Sequence, residues 1–195
     1  MPPPPAHHAK DLFAHPYYAR GSGGGATHAG TNADVAGAMK WFERFVGDNA
    51  LGIKPKVLTF NLLLQCAAFR KGGSDLGAAR KIIQTLERYG VQPNDHTYAA
   101  ALKVSARRAE GPGLRSAKEF RGVFEGKYGL TPGPKTYRSL IELFDRAGKV
   151  KTVDELYRKA QREGIDLGVG TGQHQRVLDS TILKTLERVL GGKEK

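Results

Sequence analysis

The chain has 195 residues, with 31 Lys and Arg against 19 Asp and Glu, which gives a formal net charge of +12. Its hydrophobic fraction of 39% is near that of soluble globular proteins, and no apolar run approaches the ~18 residues that a membrane span requires. A single cysteine, Cys66, excludes a disulfide scaffold and a Cys-based zinc site within one chain, while the basic balance favours a polyanionic partner, with nucleic acid first and an anionic membrane surface second.

Residues 1–33 differ in composition from the rest, because they contain a proline run, a glycine run and four of the six histidines. Such a segment cannot bury enough apolar surface to offset its ordering entropy, so we predict a disordered tail. Its single acidic residue, Asp11, is compatible with a transit peptide, but its Pro and Gly content is not typical of one, and a targeting role stays open. Its histidines have no acidic neighbours at ligand spacing, so no metal site is predicted there.

From Asp34 onward the chain has a helical pattern. Apolar residues recur at spacings of three and four, no stretch alternates with period two, and Gly or Pro interrupts the pattern every 12–20 residues, as at helix ends. Short connections between the segments favour antiparallel helix pairs. We predict helices near 34–47, 57–71, 75–89, 95–108, 114–127, 134–147, 150–163 and 174–190, the last of which covers the end of the array.

Three short motifs recur in the same order along this region. The first places a threonine before an aromatic residue, and Thr59, Thr97 and Thr136 lie 38 and 39 residues apart. The second is an apolar stripe with offsets 0, 3, 4 and 7, which is typical of one helix face. The third closes each unit with Gly, an aliphatic residue and Pro. The copies are Thr59-Phe60, Thr97-Tyr98 and Thr136-Tyr137; Ala38/Trp41/Phe42/Phe45, Ala79/Ile82/Ile83/Leu86, Ala117/Phe120/Phe124 with Arg121 in one apolar slot, and Val153/Leu156/Tyr157/Ala160; and Gly52-Ile53-Lys54-Pro55, Gly90-Val91-Gln92-Pro93, Gly129-Leu130-Thr131-Pro132, with Gly164-Ile165-Asp166-Leu167 lacking the proline.

These motifs define a two-helix unit. Threonine begins the first helix, where its hydroxyl can satisfy a free backbone N–H, and the aromatic residue starts a face that the stripe of the second helix covers. On this pattern Trp41, Phe42 and Phe45 belong to the core and not to a base-stacking platform. Since each unit exposes a face that only a neighbouring unit can cover, the predicted fold is an all-α helix-turn-helix repeat solenoid.

The ordered motifs resemble the pentatricopeptide repeat family, whose unit starts with T-Y-x-x-L-I and ends with G-(I/V/L)-x-P. The resemblance covers residues 34–168, as a half unit at 34–56 and units at 57–94, 95–133 and 134–168. It implies three and a half repeats between the tail 1–33 and a C-terminal capping helix with a charged tail at 169–195. The turns between first and second helices are expected at Lys71-Gly72-Gly73, Gly111-Pro112-Gly113 and Arg146-Ala147-Gly148-Lys149.

The resemblance implies binding of single-stranded RNA, with one base per repeat read by a few side chains. In the family, the residue after the aromatic and the residue after the closing proline contact the base edge, and the residue two before the aromatic flanks the base. Asn61 and Asn94 then form a pyrimidine-type pair, whereas Ala99 has no side-chain donor or acceptor. The three positions are Leu58, Asn61 and Asn94 in the first full unit, His96, Ala99 and Gly133 in the second, and Lys135, Arg138 and Gly168 in the third.

Non-specific contact with phosphates is supported by charge. Between Lys103 and Arg121 the sequence has six basic residues against two acidic ones. Lys103, Lys135 and Arg138 belong to first helices, which line the concave face in this architecture. A solvated helix face explains any single basic residue here equally well, except Arg138, whose place in the motif directs it to the groove.

The leading hypothesis is non-catalytic binding of single-stranded RNA in a mitochondrion or plastid, in support of RNA processing, stability or translation. It requires no cofactor, metal or membrane. Three repeats read at most about three bases, so the protein acts in a larger assembly or the chain is a piece of a longer protein. The alternative is a protein-interaction scaffold subunit of an organellar ribonucleoprotein complex, such as a ribosome or an RNA-processing assembly, and it is supported by Ala99, Gly133 and Gly168.

An enzymatic function finds no support in the sequence. The glycine run follows no strand and lacks a Gly-Lys-Ser/Thr ending, so it is not a phosphate loop, and no Gly-x-Ser-x-Gly is present. Cys66 follows an apolar stretch of a first helix and is expected to be buried and inert. The aspartates Asp34, Asp48, Asp75 and Asp95 are read as helix caps or surface acids and not as a metal-nuclease cluster.

Overall fold

The computed structural model describes residues 34–47, 54–70 and 73–167, and every regular element within these ranges is helical. Each helix predicted there is confirmed to within three residues at either end. The predicted tail 1–33 and the predicted C-terminal segment 169–195, with its helix 174–190, lie outside the described residues. The helices are α1 (Val35–Phe42, continued by π-helix Glu43–Gly47), α2 (Val57–Ala68), α3 (Leu76–Arg88), α4 (Asp95–Ala106), α5 (Gly111–Arg121, continued by π-helix Gly122–Lys127), α6 (Pro134–Arg146) and α7 (Val150–Arg162).

The helices form the predicted repeat array. The first helices α2, α4 and α6 pack side by side, and these contacts are the most extensive between helices. Each first helix also contacts the second helix of its own unit, α3, α5 or α7, and α1 packs on α2. The array is therefore an all-α solenoid of helix pairs, preceded by the half unit that α1 represents.

The core lies between the first and second helices of each unit. The motif aromatics Phe60, Tyr98 and Tyr137 are at most 1% exposed. Side chains of the second-helix stripe, such as Ile82 and Phe120, are buried to the same degree on the facing side. Complete burial of one such side chain contributes about 1.5–3 kcal/mol, so each buried motif position adds substantially to the stability of its unit.

Glycine ends each complete unit as predicted. Gly90, Gly129 and Gly164 have φ angles of +63°, +64° and +67°, in the left-handed region that glycine adopts without a Cβ penalty. After Gly90, the N–H of Val91 donates to the carbonyl of Leu86 at 3.2 Å, which closes the helix end in a Schellman motif. The backbone turns here without side-chain help, and the next first helix can begin within a few residues.

Threonine does not begin the first helix, as the sequence suggested, but lies two residues further in. The N-caps of α2, α4 and α6 are Lys56, Asn94 and Gly133. Thr97 occupies the third helical position of α4 and completes a capping box, accepting a hydrogen bond from the Asn94 N–H at 3.2 Å. Its hydroxyl therefore satisfies a free N–H as expected, although from inside the helix.

The prediction that Trp41 belongs to the core is wrong. Trp41 is 48% exposed, while Val35, Met39 and Phe42 form the buried face of α1. The described residues contain no first helix that precedes α1, and Trp41 lies outside the buried face that α1 turns towards α2. The Arg44 guanidinium carbon lies 5.9 Å from the centroid of the Trp41 ring. Phe42 is core as predicted, and the Phe45 side chain lies outside the described part.

Gly111-Pro112-Gly113 forms the first turn of α5 and does not belong to the turn before it. Proline is tolerated in a first helical turn because the N–H that it lacks would have no intrahelical partner there. Gly113 is tightly enclosed, and a Cβ at this position would overlap the main-chain oxygens of Ser105 and Arg108. The connection from α4 to α5 is thus compressed into residues 107–110.

Candidate nucleic-acid interface

The first helices present one equivalent side chain each at the position two before the motif aromatic. Leu58 on α2 is 62% exposed, and His96 on α4 and Lys135 on α6 are also exposed. The Lys135 Nζ atom lies 3.2 Å from His96 Nδ1, so these two residues are direct neighbours across the junction between units. We call this row of three side chains, with the helix surface around it, the first-helix face.

The two predicted base-reading residues of the first full unit meet at one hydroxyl group. Asn61 Oδ1 accepts a hydrogen bond from Thr97 Oγ1 at 2.7 Å, and Asn94 Oδ1 lies 3.1 Å from the same oxygen. Asn94 is exposed and also accepts from the Thr97 N–H at 3.1 Å. The structure therefore places Asn61 and Asn94 next to each other, although 33 residues separate them in the sequence.

Asn61 is only 5% exposed, because it lies in the packed junction between α2 and α4. Its Oδ1 is occupied by the Thr97 hydroxyl. Its Nδ2 makes no hydrogen bond to any residue in the described ranges, so the amide donor is the group that this side chain has left to offer.

The predicted positions of the second unit have a different role in the structure. Ala99 is 5% exposed. The Gly133 N–H donates to the Asp95 carboxylate at 2.9 Å, as do the N–H groups of Lys135 at 3.2 Å and Thr136 at 3.3 Å. A carboxylate at a helix N-terminus satisfies free N–H groups and opposes the positive end of the helix dipole. Asp95 thus caps α6 from the neighbouring unit.

Gly133 is glycine because Asp95 occupies the adjacent space. A Cβ at Gly133 would lie 2.7–2.9 Å from the carboxylate atoms of Asp95, closer than side chains tolerate. The sequence identified Asp95 only as a cap or surface acid and gave no indication that it caps the next helix. The sequence does contain one indication that α6 needs a cap from elsewhere. The helix α6 begins with Gly-Pro, so its own N-cap residue has no side chain that could accept from the free N–H groups.

The third unit places its basic residues differently. Arg138 is half-buried, and its Nε donates to the Leu167 carbonyl at 2.8 Å. Gly168, the other predicted position of this unit, lies outside the described residues. Lys103 is exposed on the second half of α4. Lys135 and Lys103 are therefore the accessible cations of the predicted set, while Arg138 is anchored through one nitrogen.

In both the second and the third unit, a hydrogen bond from a tyrosine to a glutamate joins the first helix to the second helix of the same unit. Tyr98 Oη donates to Glu125 Oε1 at 2.5 Å, and Tyr137 Oη donates to Glu163 Oε2 at 2.6 Å. Desolvation by burial, followed by the adjacent carboxylate, raises the pKa of both tyrosines well above the ordinary value. The first full unit has Phe60 in place of tyrosine, and Glu87, at the corresponding place on α3, instead pairs with Lys127 at 2.9 Å. Sequence analysis missed this contact.

The described residues also bear on three other possibilities: a metal site, a reactive thiol and a membrane span. Within them, no group of three or more His, Cys, Asp or Glu side chains could hold a metal ion. Asp34 and Asp75 are N-caps, as predicted, accepting from Gly37 N at 2.8 Å and Ala78 N at 2.9 Å, and Asp48 lies outside. Cys66 is half-buried, and desolvation raises the pKa of its thiol, so the less reactive protonated form is favoured. The described helices include none with the length and hydropathy of a membrane span.

Comparison with known proteins agrees with this architecture. Residues 48–108 match the family model of the pentatricopeptide repeat domain. The structure is similar to the crystal structure of the pentatricopeptide repeat domain of Arabidopsis thaliana protein-only RNase P 1 in complex with tRNA, with a TM-score of 0.53 and 14% sequence identity over 84% of each chain. Among curated proteins, none matches the sequence significantly. Residues 48–108 are thus similar in sequence to the pentatricopeptide repeat domain, and the described residues share the fold of a domain of that kind.

Proposed function

We propose that this protein binds single-stranded RNA on its first-helix face, without catalysis, and so supports the processing, stability or translation of organellar RNA. The observation that carries the proposal is the meeting of Asn61 and Asn94 at the Thr97 hydroxyl, beside the exposed Leu58 and His96. A related repeat domain has been crystallised with tRNA, which supports RNA as the partner.

The first full unit is the one equipped to read a base. Leu58 and His96 come from equivalent positions of adjacent first helices, so a base can insert between them and be held by apolar and stacking contact. The free Nδ2 of Asn61 can donate to a carbonyl oxygen of the base, and cytosine and uracil share the O2 carbonyl. The exposed Asn94 amide then supplies the second contact. The expected preference is for a pyrimidine.

The second and third units contribute charge. Ala99 has no polar side-chain atom, and the space at Gly133 is filled by Asp95, so the second unit has no group with which to read a base edge. Lys103 and Lys135 are exposed and can contact phosphates. Binding by these units should depend on salt concentration and not on base identity. One selective base is too little for a unique target, so the protein would act within a larger assembly in a mitochondrion or plastid.

Fluorescence anisotropy with pyrimidine-rich and purine-rich single-stranded RNA, at two salt concentrations, tests this proposal. The critical variant is Asn61→Ala, and the matched control is Gln65→Ala, which removes an exposed amide one turn further along α2. The ratio of the affinity for pyrimidine-rich RNA to the affinity for purine-rich RNA should fall towards 1 for Asn61→Ala and stay unchanged for Gln65→Ala. A thermal melt of each variant separates lost reading from lost folding.

The alternative function is a protein-interaction scaffold in an organellar ribonucleoprotein complex. The contact between Gly133 and Asp95 favours this alternative. Because Asp95 fills the space at a base-reading position, the second repeat does not read a base and its surface is available to a protein partner. Absence of RNA binding at micromolar protein and low salt would overturn the RNA proposal and leave the scaffold. The scaffold function predicts that the wild-type protein and Asn61→Ala bind the same protein components of the ribonucleoprotein complex in a pull-down experiment.

A further inference from the structure

The turns that join first to second helices form a second basic surface, separate from the first-helix face. Arg107, Arg108 and Arg115 are all exposed, in the turn after α4 and the first turns of α5. Among the described residues, none of the three has a carboxylate within ion-pair distance. We call these three arginines the turn-edge cluster. Because they lie at the C-terminal end of α4, they are at the opposite end of this helix from His96.

Two of these arginines reach across to the turn of the preceding unit. The Arg107 guanidinium carbon lies 4.5 Å from the centroid of the Phe69 ring, in cation–π contact. The Arg108 Nη2 atom lies 3.6 Å from the place that a Cβ on Gly73 would occupy. The contact with Phe69 restricts Arg107, so the cluster spans the junction between the first and second units.

The neighbouring charges leave the cluster positive. Arg70 lies in the preceding turn, but it is paired with Asp75 at 2.7 Å. Glu110 is the acidic residue within the turn of the cluster itself and is exposed. In the next turn along the array, Lys149 and Lys151 are exposed and have no ion pair within the described ranges. Unneutralised cations therefore continue along this edge of the solenoid.

We propose that the turn-edge cluster binds the sugar–phosphate backbone of a base-paired RNA stem. Guanidinium groups match phosphate geometry with two parallel N–H donors. Sites for single strands combine positive charge with exposed aromatic rings on which bases stack, whereas A-form stems are recognised by backbone and shape. Phe69, the aromatic residue at the cluster, is half-buried beneath Arg107, so it offers no stacking platform. This composition fits a stem, whose bases are hidden.

The placement of the stem relative to the first-helix face rests on the proposed function, but the binding of a stem does not. An RNA that carries a single-stranded segment next to a hairpin would contact both surfaces, the loose strand along the first helices and the stem at their C-terminal ends. The substrate class is then a structured RNA with a single-stranded junction, and such an RNA should bind more tightly than either part alone.

The test compares three RNAs with the full chain: a single-stranded oligonucleotide, a perfectly paired hairpin, and the two joined. The variant is Arg107→Gln/Arg108→Gln/Arg115→Gln, and the control is Lys54→Gln/Arg88→Gln/Arg162→Gln, three exposed cations from the other edge of the array. The cluster variant should lose at least about tenfold in affinity for the hairpin and the joined RNA at 100 mM salt, with the salt slope lower by about 3. Its affinity for the single strand should be unchanged.

The outcomes separate this inference from the proposed function. Equal losses for all three RNAs, or equal losses in the cluster and control variants, would show a general charge effect and overturn the turn-edge site. Unchanged hairpin binding in the cluster variant would also overturn it. Hairpin binding that is lost in the cluster variant, without any binding of the single strand, would support the turn-edge cluster and refute the first-helix face.

Discussion

The cap that Asp95 provides to α6 can be tested by a double-mutant cycle with Gly133. Asp95→Ala removes the acceptor of three backbone N–H groups, those of Gly133, Lys135 and Thr136. Loss of one N-cap bond costs about 1 kcal/mol, and bonds to a charged acceptor are worth more, so the expected loss is about 2–3 kcal/mol. This corresponds to a decrease of about 5–10 °C in Tm for a chain of this size.

Gly133→Ala should be destabilising only while Asp95 is present. The added Cβ would lie 2.7 Å from Asp95 Cγ, which forces the carboxylate away from the helix end and costs about 1–2 kcal/mol. The backbone of Gly133 has a φ of −95°, which any residue adopts, so no strain arises from the conformation itself. In the Asp95→Ala background the cost should therefore be close to zero, which gives a coupling energy of at least about 1 kcal/mol.

Denaturant unfolding followed by circular dichroism measures all four corners of this cycle. Asp75→Ala is the matched control, because Asp75 caps its own helix with one bond to Ala78 N. Its loss, together with that of the exposed ion pair to Arg70, is expected to cost about 1–1.5 kcal/mol. The reasoning fails if Asp95→Ala costs no more than Asp75→Ala. It fails equally if Gly133→Ala costs the same with and without the Asp95 carboxylate.

Two further predictions concern stability. Folding raises the pKa values of Tyr98 and Tyr137, so the stability that these tyrosines contribute is fully present below about pH 10 and is lost as the pH rises above it. The free energy of unfolding should therefore decline less steeply on alkaline titration in Tyr98→Phe/Tyr137→Phe than in the wild type. Parallel declines would contradict this prediction. Gly129→Ala should cost about 1 kcal/mol because φ is +64°, whereas Gly122→Ala, at an αR position with φ −58° and open space around it, should stabilise by about 0.5–1 kcal/mol. Urea midpoints that shift in the same direction for both glycines would refute the assignment of their conformations.

The helices and their order could be predicted because their signals are local. The 3.6-residue period of apolar positions, the glycine stops and the repetition of Thr-aromatic pairs each depend on residues close together in the chain. Repetition then added evidence that no single copy contains, since three aligned copies agree on where each helix starts. Thr97 was misplaced by two residues because capping geometry depends on which side chain turns back to the N–H.

The contacts of the candidate site could not be predicted from the sequence to the same extent, because they join residues of different units. The sequence placed Asn61 and Asn94 in one unit only through a resemblance, and it could not show that both touch Thr97. Asp95 caps a helix that begins some 40 residues later. Trp41 lies on a stripe whose equivalent positions, Ile82, Phe120 and Leu156, are buried or half-buried in the complete units, whereas Trp41 is 48% exposed, and no pattern within α1 distinguishes it from them.

The two junctions of the array differ in the ion pairs between their second helices. Between the first and second units, the second helices α3 and α5 are joined by two ion pairs at the surface, Arg80–Glu119 at 2.8 Å and Lys127–Glu87 at 2.9 Å. Between the second and third units, the described residues show no ion pair linking α5 to α7. Hydrogen bonds join the first helices at both junctions, from Thr97 to Asn61 at the first and from the N–H groups of α6 to Asp95 at the second. Mobile ions screen exposed charge pairs far more than half-buried hydrogen bonds. Rising ionic strength should therefore weaken the contact between α3 and α5 more than any contact at the second junction, so salt would act unequally on the two ends of the array.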